Sequence, residues 1–389
     1  MEAKGIFSKL NTQILLAIVA IIISACSPAE KATIKVQGTI TKDTTWKSEF
    51  TYILDGQVQV VNGATLTVEP GTLIKASPGE YPNASMLIIS RGSKINAVGT
   101  YQNPIVFTSL DDNINTVQES SQTMLSENNK GLWGGIIILG AAPISLEDGE
   151  NETFYVGLNP SDPSSYYGGD QADDNSGSLK YVSIRFGGSY MGTGSESNGL
   201  TLSGVGNKTQ IDHIEIYANQ DDGIEFFGGN VNASNLIIYS SGDDGIDLDE
   251  GFTGNLKNIF VILGQESDSG IEISGGPGSF EGNFSISDVK LTVHSATEDQ
   301  RILNIDEKAK GSIKNILAAN FMDVSKIILS SNDVTLDQLQ ITKDGKISNS
   351  MDEISSNKLA KGQINFSENI EINNQQAFDW TLTQQKISN

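Results

Sequence analysis

One apolar template recurs along this chain at positions i, i+3, i+5 and i+7, and it leaves few folds open. It reads Leu179/Val182/Ile184/Phe186, Ile211/Ile214/Ile216/Ala218, Ala233/Leu236/Ile238/Ser240, Leu256/Ile259/Val261/Leu263 and Ile286/Val289/Leu291/Val293. Weaker copies follow at Ile313/Ile316/Ala318 and Leu336/Leu339/Ile341. The tightest spacings, 211 to 233 and 233 to 256, are 22 and 23 residues; wider ones imply inserted loops. The last three positions alternate with period two, the mark of a strand with one buried face. The step from i to i+3 fits a bend just before that strand. A second short strand follows a glycine in each unit: Gly199-Leu200-Thr201-Leu202, Gly223-Ile224-Glu225-Phe226, Gly245-Ile246-Asp247-Leu248 and Gly270-Ile271-Glu272-Ile273. Two or three strands per coil, stacked about 4.8 Å apart, make an all-β chain, a right-handed parallel β-helix. One coil cannot bury its own apolar face, so stacking supplies the core.

Other folds of similar period fit less well. A leucine-rich repeat would show leucine-dominated runs and a helical half, and neither is present. An antiparallel sandwich does not explain glycines at equivalent places in successive units. Earlier coils are legible in Leu54–Val60, Ala64–Ile74, Met86–Val98 and Ile105–Thr108, and Trp133–Gly140 reads as a fully buried strand. Polar insertions interrupt them at 110–130 and 145–177. The solenoid is expected over 35–342. The stretch 343–389 loses the template, and Phe378 and Trp380 are expected to cap the open end of the core.

The N-terminus reads as an export signal over residues 1–25. Lys4 and Lys9 precede an apolar run from Ile14 to Ile23, which is short for a permanent membrane span. The run ends in Ile23-Ser24-Ala25-Cys26, which resembles the bacterial lipobox, and Cys26 is the only cysteine in the chain. The resemblance implies cleavage before Cys26, lipid on that residue and a membrane tether over 26–34. A chance cysteine in an ordinary secreted protein is the alternative. With Cys26 lipidated no disulfide can form, so packing and backbone pairing must hold the fold. Ser27 resembles outer-membrane sorting. The following residues lack the acidic run that often accompanies surface export, so the cell surface is favoured only somewhat over the periplasmic face.

Several segments together form a family pattern. They are Gly63-Ala64-Thr65-Leu66-Thr67-Val68-Glu69-Pro70-Gly71-Thr72, Asn103-Pro104-Ile105-Val106-Phe107-Thr108-Ser109, Gly131-Leu132-Trp133-Gly134-Gly135, Leu179-Lys180-Tyr181-Val182-Ser183-Ile184-Arg185-Phe186-Gly187-Gly188 and Asp221-Asp222-Gly223-Ile224-Glu225-Phe226-Phe227-Gly228-Gly229. Over most of 35–265 the chain resembles a family of Bacteroidota surface or secreted lipoproteins with parallel β-helix folds. That resemblance implies the fold and brings no settled activity.

The chemistry concentrates in an acidic column. Asp221-Asp222-Gly223-Ile224-Glu225 and Asp243-Asp244-Gly245-Ile246-Asp247 are 22 residues apart, one coil, so equivalent carboxylates stack at strand spacing. Glu272 extends the column, and Asp249 and Glu250 add charge. Like charges this close disfavour joint ionisation. Ca²⁺, which takes six to eight oxygens in loose geometry, is the expected cofactor, with Asp221, Asp222, Glu225, Asp243, Asp244, Asp247, Asp249 and Glu272 as ligands. The alternative is an Asp-Gly turn ladder whose side chains cap backbone N–H groups. No complete EF-hand loop is present.

An enzyme is the competing reading, because β-helices host polysaccharide lyases and hydrolases and paired carboxylates can serve as acid and base. Asp221, Asp222, Asp243 and Asp244 would then be catalytic. The Gly-His-Gly and Arg-x-Lys elements of polygalacturonases are absent, as are a Walker A loop, a nucleophile elbow and zinc spacing. His213 falls in a column with Tyr181, Asn235, Asn258, Asp288, Asn315 and Gln338, which reads as a structural polar ladder. Aromatics offer a binding surface: Tyr166 and Tyr167 in the second insertion, and Tyr217 and Tyr239, which follow Ile216 and Ile238 and so should point outward. Such platforms suit sugar rings or a partner protein. The formal charge of −23 repels nucleic acid. The expected role is a calcium-assisted binding or surface-scaffold module for a glycan or outer-membrane partner. Polysaccharide cleavage and a purely structural spacer are the alternatives.

Overall fold

The structure, a computed structural model, describes residues 31–388 apart from 193–194, 279, 296, 298–299, 323–326, 344, 351–353, 356–362 and 373–374. The signal sequence, Cys26 and the tether up to residue 30 lie outside the described residues. The rest is a parallel β-helix. Template strands stack in register from Gly177–Arg185 through Gln210–Tyr217, Asn232–Tyr239, Asn255–Leu263, Phe284–Val293 and Lys310–Ala319 to Asp333–Lys343. The short strands stack beside them: Ile136–Leu139, Leu200–Ser203, Ile224–Phe227, Ile246–Asp249, Ser269–Gly275 and Arg301–Lys308. Residues i, i+3 and i+5 of each copy line one continuous apolar core that starts at Trp46. Earlier coils enter through Gly177–Arg185, whose first half pairs with Lys94–Val98 and whose second half pairs with Ile105–Ser109.

The bend read from the i to i+3 step has a definite backbone cause. Tyr181, His213, Asn235, Asn258, Asp288, Asn315 and Gln338 all carry φ between +50° and +60°. This left-handed conformation turns each template strand through a corner, and Asn and Asp tolerate it better than other non-glycine residues. The side chains then bond up the stack. Asn258 Nδ2 donates to Asn235 Oδ1, Asn235 Nδ2 to Asp212 Oδ1 at 2.6 Å, and Asn315 Nδ2 to Asp288 Oδ1 at 2.7 Å. His213 stacks on Tyr181 with ring centroids 4.2 Å apart and its Nδ1 lies 2.9 Å from Asp212. The glycine opening each short strand answers a different need. A Cβ on Gly245 would lie 2.6 Å from the carbonyl oxygen of Gly270, one coil on, and a Cβ on Gly223 equally close to that of Gly245.

The C-terminal segment departs from the sequence expectation. Strands continue past 342: Ile354–Ser355 pairs with Ile327–Leu329, and Ile364–Phe366 pairs with Asp333–Lys343. The chain then returns along one flank instead of covering the open end. Phe378 and Leu382 pack, fully buried, with Tyr217, Ile237, Tyr239, Phe260 and Ile262. Trp380 meets Tyr181 edge-on at 5.5 Å. Thr383 N donates to Glu215 Oε1 at 2.7 Å; Glu215 is fully buried, with Arg185 Nη2 3.6 Å away and Ser183 Oγ at 2.6 Å. Helix Leu382–Ile387 is capped by Thr381, whose side chain accepts from Gln384 N. The end-cap expectation for Phe378 and Trp380 is therefore corrected: they form a clasp over a flank whose outward positions are themselves apolar.

The two insertions also pack on the solenoid. In the first, Ile114 and Val117 bury against Leu73 and Val106. The second folds as an antiparallel hairpin, Glu152–Phe154 against Tyr166–Gly168. Tyr155, Leu158 and Tyr167 join Met86, Ile88, Ile137 and Leu139 on the outer face of the short-strand sheet. That seats the hairpin beside the acidic column.

Candidate functional site

The register brings the predicted carboxylates together coil on coil. Glu225 is the ladder partner of Asp247, and Asp247 of Glu272; Thr201 precedes them and Asn304 follows. Side chains alternate along a strand. Ile224 and Phe226 enter the core, so Glu225 and its partners face outward, under the hairpin. Burial is nevertheless deep, with Asp222, Glu225 and Asp244 each exposing less than a tenth of their surface.

The aspartate pairs divide the work. Asp222 Oδ1 accepts from Asp244 N at 2.9 Å, and Asp244 Oδ1 accepts from Ser269 N at 2.6 Å. These two run up the turn column as backbone caps, the role an Asp-Gly turn ladder would give them. Of the four aspartates considered for catalysis, only Asp221 lines a cavity described below, and Asp243 is exposed. Three sets of carboxylates bring ligand atoms within 4.8 Å of one another: Asp221/Asp222/Asp243, Asp222/Glu225/Asp247 and Asp243/Asp244/Asp268. Asp249 and Glu272 join none of these sets, and Asp268 was not foreseen. The middle set spans two coils and is the best shielded. It adjoins two buried oxygens that have no hydrogen-bond partner among the described residues, Asp247 Oδ1 and Asn198 Oδ1. Asn198 Nδ2 is spent on Glu225. An all-oxygen donor set of this kind fits a hard divalent cation.

Crowding and burial raise the pKa of most carboxyls in the column. Asp221 is pushed up to about 7 by burial and by the charges of Glu196 and Asp243. Asp244 is pushed up to about 10, first by burial and then by Glu272 and Asp222. Burial, with neighbouring carboxylates, holds Asp222, Glu225 and Asp247 well above the usual range. Glu250 is pushed up to about 7 by burial, against the Tyr167 hydroxyl that donates to its Oε1 at 2.9 Å.

A cavity of about 540 Å³ lies between hairpin and ladder. Phe154, Tyr155 and Tyr167 of the hairpin, with Phe227 of the coil, supply its apolar wall; Asp221, Glu225, Glu250 and Glu196 supply carboxylates. Tyr167 and Tyr155 are buried at 4% and 6% exposure and pack around Phe227 at 6.1 and 6.2 Å. Tyr166 is half-buried and tilted on Phe154. The expectation for Tyr217 and Tyr239 is corrected. They do stack, with centroids 5.0 Å apart, but they expose only 3% and 4% because the C-terminal clasp and residues 125–132 cover them. Arg185 is buried on the same flank, 3.6 Å from Glu215.

Sequence reading undervalued Glu250 and missed Asn198 and Glu196. Glu250 does carry a signal: it directly follows the strand Ile246–Asp249, and its φ of +49° is unusual for a side chain of this size. Glu196 and Asn198 sit before a coil strand with no acidic motif, so only the fold brings them in.

Comparison with known proteins follows from this geometry. No curated protein matches the sequence. Two structures of the pectin methylesterase from Aspergillus niger are similar over 91% of this chain and 97% of that chain. One, in a penultimately deglycosylated form, has 12% identity and a TM-score of 0.34; the other, deglycosylated, has 11% and 0.35. The model of the pectate-lyase like beta helix domain matches residues 38–385, and the chain belongs to that family.

Proposed function

We propose that this is an exported, lipid-anchored β-helix that binds a glycan in the groove between the 145–177 hairpin and the acidic ladder, with calcium bracing the groove floor. The observation that carries the reading is the groove itself: aromatic side chains on one wall face carboxylates on the floor. Apolar ring faces and hydrogen-bonding acceptors are what a saccharide needs. Membership of the pectate-lyase-like family agrees with a carbohydrate ligand. Asp222, Glu225 and Asp247 would hold the ion, which would neutralise the ladder and lock two coils in register. Lipid on Cys26 would anchor the protein at the outer membrane, with the cell surface favoured.

Glycoside cleavage is a second reading, favoured by one observation. Asp221 and Glu250 border the same groove, and each is pushed to about 7, the range of a proton donor at neutral pH. A glycan array with Ca²⁺ and with chelator, followed by product analysis of every hit, tests both. Binding that needs calcium and yields no products supports the module. Shortened products support the enzyme. No hit under either condition refutes the groove as a glycan site.

A further inference from the structure

A second cavity, of about 490 Å³, lies on the other side of Glu250. Asp249, Ser274, Pro277, Asp306 and Lys308 line it, and Glu250 lines both cavities. At the junction two acceptors are vacant: Asp249 Oδ1 and Glu250 Oε2 are buried and have no hydrogen-bond partner among the described residues. A buried acceptor left unpaired costs about 1–3 kcal/mol, so oxygens of this kind persist where something outside the chain can bond to them. Glu250 is held in place from two directions. Its other oxygen takes the Tyr167 hydroxyl, and its backbone adopts the strained left-handed conformation. Strain of that sort persists only where surroundings fix it.

We propose that the two cavities form one track for an extended, uncharged glycan chain, which crosses from one to the other over Asp249 and Glu250. This rests on the groove being a glycan site. Each cavity has room for roughly two or three pyranose rings, so the full track takes a chain of about five. A ring crossing the junction turns the Asp249 and Glu250 carboxyls enough to bring Oδ1 and Oε2, buried in the free protein, within reach of its hydroxyls. The ligand is neutral because seven carboxylate residues and a single lysine line the two cavities. A polyuronate would bring a carboxylate per ring into that field, and like charges at such distances repel. Aromatic contacts come from the hairpin end alone, so that end supplies anchoring and the far cavity supplies length selectivity.

The test is calorimetric titration of the intact mature chain with cello-, xylo-, manno- and malto-oligosaccharides of two to eight sugars, and with oligogalacturonides, in Ca²⁺ and in chelator. For a neutral series, affinity rises at least tenfold between three and six sugars. Glu307→Trp, an exposed position at the far cavity, abolishes that gain and leaves the trisaccharide affinity within twofold. Ser274→Trp does the same from the neighbouring strand, and melting curves verify that both variants fold. A gain that survives both substitutions overturns the track, as does an affinity that levels off at three sugars. Tighter binding of oligogalacturonides than of every neutral series overturns the neutral ligand. Absence of binding by every series refutes the glycan groove itself, a separate outcome from loss of the length effect alone.

Discussion

Without a divalent cation, the acidic ladder should make this protein less stable as the pH rises. Asp221 and Glu250 are pushed up to about 7, from ordinary values of 3.8 and 4.5. A carboxyl whose folded value lies above its unfolded value binds its proton more tightly in the folded state. Its contribution is therefore complete below the unfolded value and is lost as pH climbs towards the folded one. At about 1.4 kcal/mol per pH unit, Asp221 accounts for about 4 kcal/mol and Glu250 for about 3 kcal/mol between pH 4 and pH 7. Asp244, pushed up to about 10, extends the decline to higher pH. One opposing group is Asp212, held low by His213, Asn235 and Lys180 against the cost of burial. It removes stability below the usual carboxylate range, so the optimum falls near pH 4–5. For about 360 residues, 1 kcal/mol corresponds to roughly 1–1.5 °C, so the melting temperature in chelator should drop by roughly 10 °C between pH 5 and pH 8. Calcium opposes the decline by favouring the ionised ladder. At a hundred times its dissociation constant it adds about 2.7 kcal/mol, and the gain should be larger at pH 8 than at pH 5. Differential scanning calorimetry at both pH values, with chelator and with Ca²⁺, reads all four numbers. A melting temperature in chelator that is flat or rising from pH 5 to pH 8 would refute the reasoning, because the ladder would then be ionised without a cation.

Three further outcomes follow from the packing. Phe378→Ala removes a fully buried ring from the flank and should cost about 3–5 kcal/mol; Trp380 emission should shift red and exchange protection fall in 214–217 and 236–239, whereas faster exchange confined to 327–366 would mean the clasp is an end cap after all. Gly245→Ala drives a methyl against the carbonyl of Gly270 and should cost about 1–3 kcal/mol, seen as a lower urea midpoint; an unchanged midpoint would mean the coils separate freely there. Asn258→Ala should cost about 2 kcal/mol, from the left-handed backbone and the lost bond to Asn235, while Asn258→Gly, which keeps the corner, should cost less; equal losses would show that the side-chain ladder alone matters.

The solenoid was legible because its cause is periodic. Ile211, Ile214 and Ile216 repeat their roles in the next coil at Ala233, Leu236 and Ile238, and the same offset stacks Glu225 on Asp247. The corner was legible too, as a column rich in Asn and Asp, although the positive φ that explains it emerged only from the backbone. Alternation failed at Tyr217 and Tyr239, where it does put the rings outside the core. What it cannot register is a segment more than 130 residues later returning to cover them. The composition held a hint: Leu236-Ile237-Ile238-Tyr239 and Ile259-Phe260-Val261-Ile262-Leu263 are apolar on both faces, the pattern of a strand covered twice. The groove was half legible. Its floor is part of the repeat, while its wall comes from an insertion with no period, so Tyr155 and Tyr167 could be assigned to a loop but not to the acids they face.

The clasp also sets a timetable. Coils can zip together as they emerge, each on the one before, yet the apolar flank carrying Tyr217, Tyr239 and Phe260, which Leu125, Glu127 and Leu132 cover only in part, is not closed until residues 378–383 arrive. The latch between Thr383 and Glu215 closes a loop of 168 residues. A chain cut short before Phe378 would complete nearly all of its coils and still present a greasy stripe to its surroundings. Residues 378–383 thus act as a seal, distinguishing a chain with its flank closed from one that is folded almost everywhere else.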